Sequence, residues 1–380
     1  MPIYLDNSAT TRPCEAAISA MTKCMQEGYF NPSALYAPAL ETEKMLRACR
    51  EEILRSIHAP SSCRVIFTSG GTEADNLAIL GHLSTVHGGG RVLYSAGEHP
   101  AVKEACQAAS GFEALEIPYD REGRIDLSAL RTLLTPDTRL ICCMQVNNET
   151  GAIQPLAEIH RLRMELAPDA FFHVDGVQGY LRLPFDMGAL QADSYALSGH
   201  KIHAPKGVGA LVITQRMRLN PRMVGGGQEN NLRSGTENTP GIAGLLAAIR
   251  NYPKDHQMQD VKMHLWHCLK ELIPGASVNG PLPDDENAAP HILNISLPPV
   301  RSETMLHALE GEKIYIGMGS ACAAHKQKVS AVLMAMHAPR HLAESALRFS
   351  LSPENTKEEM EMVARACQKN FAILSRFQRR

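Results

Sequence analysis

The chain has 380 residues, 44% of them hydrophobic, with a formal net charge of −2 at pH 7. That length exceeds one typical core and predicts two domains, with enough apolar content for a globular protein. The near-neutral charge excludes bulk attraction to nucleic acid or an anionic membrane, and no apolar run approaches the roughly 18 residues of a membrane span.

Ile3-Tyr4-Leu5 is strand-like and follows no basic start or apolar signal core, which predicts a cytoplasmic protein. From about residue 60 to 215, β-rich runs alternate with helical ones. Val65–Thr68, Val92–Ser95, Leu140–Val146, Phe171–Asp175, Tyr195–Ser198 and Ala210–Ile213 predict strands. Glu73–Leu83, Ala101–Ala109 and Leu156–Leu166 carry the spacing of amphipathic helices, and Asp126 caps a further helix start. Such alternation predicts an α/β fold, a mainly parallel sheet covered by helices, with ligands at the carboxyl ends of its strands. After Gly225-Gly226-Gly227 a helix-like run, Pro240–Ile249, leads to a charged segment at Lys254-Asp255, the candidate domain boundary. Beyond it His291–Leu297 alternates as a strand, Glu303–Leu309 and Lys357–Leu374 are helical, and Asn279–Pro290 is a surface turn.

No Cys/His grouping has zinc spacing, so no metal site is expected. Cys49, Cys106, Cys142 and Cys143 suit small buried apolar positions. Cys322 differs, because it sits among small and polar residues beside His325, Lys326 and Lys328, cations that favour a thiolate.

Several short segments carry chemistry. Ser198-Gly199-His200-Lys201 ends one strand and Phe171–Asp175 ends another. A lysine and an aspartate at neighbouring strand ends are what pyridoxal phosphate chemistry needs: the amine bonds the aldehyde, and the carboxylate keeps the pyridine nitrogen protonated. Taken alone, Lys201 also fits a solvated surface lysine. Ser69-Gly70-Gly71-Thr72, between a strand and a helix, offers free N–H groups to an anion, or is an ordinary glycine turn with a threonine cap. Arg348 alternates with apolar neighbours, which suits either bidentate carboxylate binding or a surface ion pair on an edge strand. His99 at a helix start and Asn148 in a turn have equally plain structural readings.

These segments stand in one order with Tyr4–Thr11, Asn31-Pro32-Ser33, Phe67–Asn76, Glu98-His99, Val146–Gly151, Arg233–Thr236, Gly319-Ser320-Ala321-Cys322 and Leu347–Leu351. The whole resembles the cysteine desulfurases, class V pyridoxal phosphate enzymes of fold-type I. The resemblance implies a large domain, residues 16–255, built on a mainly parallel seven-stranded sheet. It also implies a smaller α+β C-terminal domain, residues 1–15 with 256–380. By resemblance Lys201 and Cys322 are catalytic, and His99 stacks on the cofactor and moves protons. Gly71, Thr72, Ser198 and His200 hold the phosphate and Asp175 the ring nitrogen. Asn148 and Gln178 contact the phenolic oxygen or substrate, and Arg348 binds the substrate carboxylate. Thr236 completes the phosphate cup of the other subunit in a homodimer.

The implied reaction takes sulfur from L-cysteine, giving L-alanine and a Cys322 persulfide for a sulfur acceptor in iron–sulfur assembly or in tRNA or cofactor thiolation. The Gly-Ser-Ala-Cys form matches the longer-loop group. Related readings are a selenocysteine lyase or another β-lyase and, further off, an inactive dimeric scaffold for sulfur carriers. The chain departs from the family pattern at Tyr36 (often His), at Gly176-Val177 (usually Ala-Thr), at Ser352 (commonly Gly) and in the loop after Cys322. Its tail lacks the scaffold-docking extension of housekeeping members, which leaves room for a dedicated or accessory sulfur donor.

Overall fold

The computed structural model describes residues 2–254, 257–319 and 329–376. Strands run in the order β1 (Ile3–Leu5), β2 (Arg64–Thr68), β3 (Gly90–Ser95), β4 (Phe112–Ile117), β5 (Thr138–Met144) and β6 (Phe171–Asp175). They continue as β7 (Ser194–Ser198), β8 (Gly209–Ile213), β9 (Ser277–Val278), β10 (Ile292–Ser296), β11 (Ile314–Ile316) and β12 (Ala346–Ser350). The helices that matter below are α1 (Glu15–Glu27), α2 (Ala37–Ser56), α3 (Gly71–Asn76), α4 (Pro100–Gln107) and α5 (Leu127–Leu133). After them come α6 (Leu156–Leu166), α7 (Thr239–Asn251), α8 (Met258–Leu272), α9 (Ser302–Glu310), α10 (Ala331–Ala335), α11 (Arg340–Ala343) and α12 (Lys357–Leu374).

Seven strands form one sheet in the order β2-β8-β7-β6-β5-β3-β4. Only β8 runs against its neighbours, as a hairpin partner of β7 that also pairs with β2. The parallel strands β5, β6 and β7 are almost wholly buried because helices cover both faces, which is why they read as continuous apolar runs. The mainly parallel seven-stranded sheet is as expected. One strand, β4, is new: Phe112-Glu113-Ala114-Leu115-Glu116-Ile117 is poor in β-branched residues, and being an edge strand it is only partly covered.

Two further differences have local causes. The helix expected over Glu73–Leu83 begins as α3 and passes into a π-helical turn at Leu77–Gly81. Asn279–Pro290 is a loop but not a free surface turn, since Asn279 donates to Asn294 and Ser296 and the buried Lys262 Nζ donates to the Ala289 carbonyl at 2.8 Å. Cys49, Cys106, Cys142 and Cys143 are all fully buried, and burial pushes the Cys49 thiol up to about 12.

A second apolar core gathers β1, β10, β11 and β12 with α8, α9 and α12. Here β12-β10-β9 is antiparallel and β1 pairs in parallel with β11, so residues from both chain ends share one core. The long α12 starts sharply because Thr356 and Glu359 form a reciprocal capping box. Ser352, one of the expected departures, needs no glycine conformation: its N–H donates to Asn355 Oδ1 at 2.8 Å in the turn before α12.

Gly176, the departure just after Asp175, has a packing cause. A Cβ there would lie 1.9 Å from Cζ of the fully buried Tyr195, whose hydroxyl donates to Gln145. Gly176→Ala is expected to destabilise the fold by roughly 2–3 kcal/mol through overpacking, read as a lower denaturation midpoint with unchanged slope.

Candidate active site

A cavity of about 310 Å3 opens at the carboxyl edge of the large sheet. It is lined by Gly71, Thr72, His99, Asn148, Asp175, Gln178, Ser198, His200, Lys201 and Arg348, ten of the expected site residues. The topology explains the convergence. Asp175 ends β6, Ser198 ends β7, Gly71-Thr72 follow β2 into α3, and His99 precedes α4 after β3, all at the same edge. Arg348 enters from β12, in the second core.

Lys201 lies in a one-turn 3-10 helix, Gly199–Lys201, and its Nζ donates to the carbonyls of Ser8 at 2.5 Å and Ala9 at 2.8 Å. Burial, then Arg348 and Arg182, pull its amine down to about 7, against the opposing pull of Asp6 and Asp175. A lysine so placed is half neutral near pH 7 and ready to act as a nucleophile or a base. Asp175 is buried, which raises its carboxyl, while His99, the Val177 N–H at 2.9 Å and Lys201 favour the charged form. His99 caps α4 through Nδ1, which accepts from Ala101 N–H at 3.2 Å, and burial holds its ring below the ordinary histidine range. Burial, Lys201 and Lys206 lower His200 to about 4, so this ring is neutral and its Nδ1 pairs with Thr10 Oγ1.

Other lining groups carry no clear chemical signal in sequence. Ser8 and Ala9 serve through backbone carbonyls, so side-chain motifs do not reveal them. Asp75, on α3, is a fully buried acid whose Oδ1 lies 3.2 Å from His173 Nε2, while Oδ2 has no partner among the described residues. His173 in turn meets Ser194 Oγ at 2.8 Å and is pushed by burial to about 3, hence neutral. Its one trace in sequence is an acid on the helix face otherwise formed by Ala74, Leu77 and Ala78, which by itself names no chemistry. Behind His99, the buried Glu98 accepts from Ser95 Oγ and Met144 N–H and is raised to about 8 by burial.

Two expected site residues are not among these. Thr236 is exposed and outside the cavity lining of its own chain. Cys322 lies outside the described residues. The chain reaches that segment at Gly319 and resumes at Val329, and Ser330 Oγ donates to Glu149, next to the cavity residue Asn148.

A buried amine, a buried carboxylate, a guanidinium and the Gly71-Thr72 start of α3 thus meet in one cavity. The family model for aminotransferase class-V matches residues 3–363. A cysteine desulfurase of Gluconacetobacter diazotrophicus is 37% identical over 369 residues, 95% of this chain and 91% of that protein. Among solved structures, a NifS-like protein matches with a TM-score of 0.90 at 32% identity, over 98% of this chain and 100% of that one. SspA in complex with cysteine matches with a TM-score of 0.80 at 29% identity, over 93% of this chain and 100% of that one. With its motifs collinear and its length covered, the chain belongs to the aminotransferase class-V family, among the cysteine desulfurases.

Proposed function

We propose that the protein is a pyridoxal phosphate-dependent cysteine desulfurase, taking sulfur from L-cysteine to leave L-alanine and a persulfide on Cys322. The observation that carries this is the convergence of Lys201, Asp175 and Arg348 on one cavity beside the Gly71-Thr72 turn. The residues present fit the cofactor. Among the described residues Lys201 Nζ donates to two carbonyls and to no carboxylate, and it would supply the amine for the aldehyde. Asp175 is a buried acid suited to a protonated ring nitrogen, and Gly71, Thr72, Ser198 and His200 border an adjoining opening suited to the phosphate. A Cβ at Gly71 would lie 2.7 Å from Val177 Cγ2, so this wall leaves no room for a side chain.

When bound, the cofactor supplies an electron-withdrawing ring that makes the substrate Cα proton acidic. The chain's own groups do the rest. Arg348 holds the α-carboxylate, and Lys201 Nζ takes the Cα proton. Asp175 would keep the ring nitrogen's proton in place, and His99, which lines the same cavity, would lie against the ring and move protons. Asn148 and Gln178 offer polar contacts to the phenolic oxygen or the substrate. Cys322 Sγ forms an S–S bond as the substrate's Cβ–S bond breaks, and the carbon takes the electron pair and a proton to become the alanine methyl. The persulfide sulfur carries the oxidation, so no outside reductant enters until an acceptor collects it.

The partners proposed are L-cysteine, a sulfur acceptor in iron–sulfur assembly or thiolation, and a second copy of the chain placing Thr236 at the phosphate. Exposed Tyr29, Leu35, Tyr36 and Val224, the last beside Gly225-Gly226-Gly227, support a homodimer face. Two apolar cores support the domain division at 16–255 against 1–15 with 256–380, although Val332, Leu333, Met336, Ala343 and Ala346 of the second segment pack into the large core. No helix among the described residues is long and apolar enough to cross a membrane; a cytoplasmic location is part of the proposal.

The test is to incubate the pyridoxal phosphate-loaded protein with cysteine and map added sulfur by peptide mass spectrometry. One sulfur is expected on the Cys322 peptide, absent in Cys322→Ser, with alanine released. Alanine without the adduct indicates a β-lyase, and no borohydride-trapped cofactor on Lys201 indicates a non-catalytic scaffold.

A further inference from the structure

Arg348 does not hold its pose alone. Its backbone is bridged on one side by Gly317, with N–H to O distances of 3.0 and 2.8 Å, and on the other by β10. At the far end of the side chain, Nη1 donates to the Asn148 carbonyl at 2.8 Å and Nη2 donates to Asp6 Oδ1 at 2.7 Å. The arginine side chain is 3% exposed and the aspartate side chain 25%. Asp6 continues β1 and bridges Ser350 in parallel, so the N-terminal strand brings the carboxylate to β12. Gly317 makes the pair sterically feasible: a Cβ there would lie 2.7 Å from Asp6 Oδ1 and 2.8 Å from Arg348 Nη2.

A planar guanidinium fixed at two nitrogens has its plane set before a ligand arrives, and carboxylate recognition by arginine depends on that plane. We propose that Asp6 is a positioning residue for substrate recognition: with the Asn148 carbonyl and the bare Gly317 it locks the Arg348 guanidinium to receive the α-carboxylate of an amino acid. This rests on Arg348 being the carboxylate ligand. Asp6 is not among the cavity-lining residues, so its route to the carboxylate is Arg348, while its pull on Lys201 is common to alanine and the amide and drops out of the preference between them. Its charge alone would repel a second carboxylate. Alignment therefore predicts weaker binding when Asp6 is removed, and repulsion predicts tighter binding.

The experiment is calorimetric binding of L-alanine and of L-alaninamide, which lacks the carboxylate charge, to the pyridoxal phosphate-loaded protein. Asp6→Ala is expected to cut the preference for alanine over the amide about tenfold, or ~1.4 kcal/mol. Asp6→Asn retains an oxygen for Nη2 and is expected to keep most of that preference. Gly317→Ala, which pushes the pair apart from the other side, is expected to behave like Asp6→Ala and serves if the latter does not fold. Asp6→Ala that leaves the preference intact or raises it, or Asn as damaging as Ala, overturns the proposal. If Arg348→Ala retains the preference, Arg348 is not the carboxylate ligand and the proposal falls with that assignment. A wild-type protein that discriminates alanine from its amide without making alanine from cysteine would instead fail the desulfurase reading alone.

Discussion

Lys201→Ala is expected to lower alanine formation from cysteine by roughly 10³-fold or more, because under the proposed function the variant loses both the amine that bonds the cofactor and the base at Cα. The spectroscopic companion is loss of the borohydride-trapped adduct, checked by peptide mapping. The same amine gives a pH signature. Burial and the cations Arg348 and Arg182 set it at about 7 against an ordinary value of 10.5. Cofactor capture by the stripped protein therefore rises as pH climbs through about 7, because only the neutral amine attacks the aldehyde.

The stability consequence has a definite sign. The folded state holds the lysine proton less tightly than the unfolded chain does, so cofactor-free protein gains stability from this group as pH rises from about 7 towards the ordinary lysine range. Below about 7 the burial cost of the charge is borne in full. Lys201→Met removes it, and the stripped variant is expected to melt higher than the stripped parent at neutral pH. That difference should shrink as the pH approaches the ordinary lysine range. A lysine that costs stability when unmodified and supplies the chemistry when bound is a familiar trade at active sites.

Sequence patterns reached some of this architecture and missed the rest for identifiable reasons. The helices Leu156–Leu166 and Lys357–Leu374 are legible to the residue. Strands buried on both faces, such as β6 and β7, announce themselves as short apolar runs. The edge strand β4 does not, since its Glu113 and Glu116 read as loop or helix. Ten residues expected at the site were legible as lining of one cavity; those acting by backbone or by burial were not. Ser8 and Ala9 offer Lys201 only carbonyl oxygens, which any sequence supplies. The Asp6–Arg348 pair joins positions 342 residues apart, and no local pattern shows that β1 runs back to β12. Gly176 appears in sequence only as an oddity, until Tyr195 is found in the space beside it.

Asp175→Asn is the second large effect expected, and it separates the roles of geometry and charge. The amide oxygen can still accept from Val177 N–H, the 2.9 Å bond that orients the side chain at the end of β6. What disappears is a buried negative charge facing the cavity. Without it the ring nitrogen has no anionic partner, and turnover should fall roughly 10²- to 10³-fold while the folded structure remains. Lys201 and His99 both lose a group that favours their charged forms. The pH limb for cofactor capture should therefore move to the acid side of about 7, even as turnover collapses. Asp75, raised partly by Asp175 across the same floor, should ionise more readily. A variant whose capture limb moved to the alkaline side would show that the Asp175 charge does not act on Lys201. Unchanged turnover would remove Asp175 from the chemistry altogether.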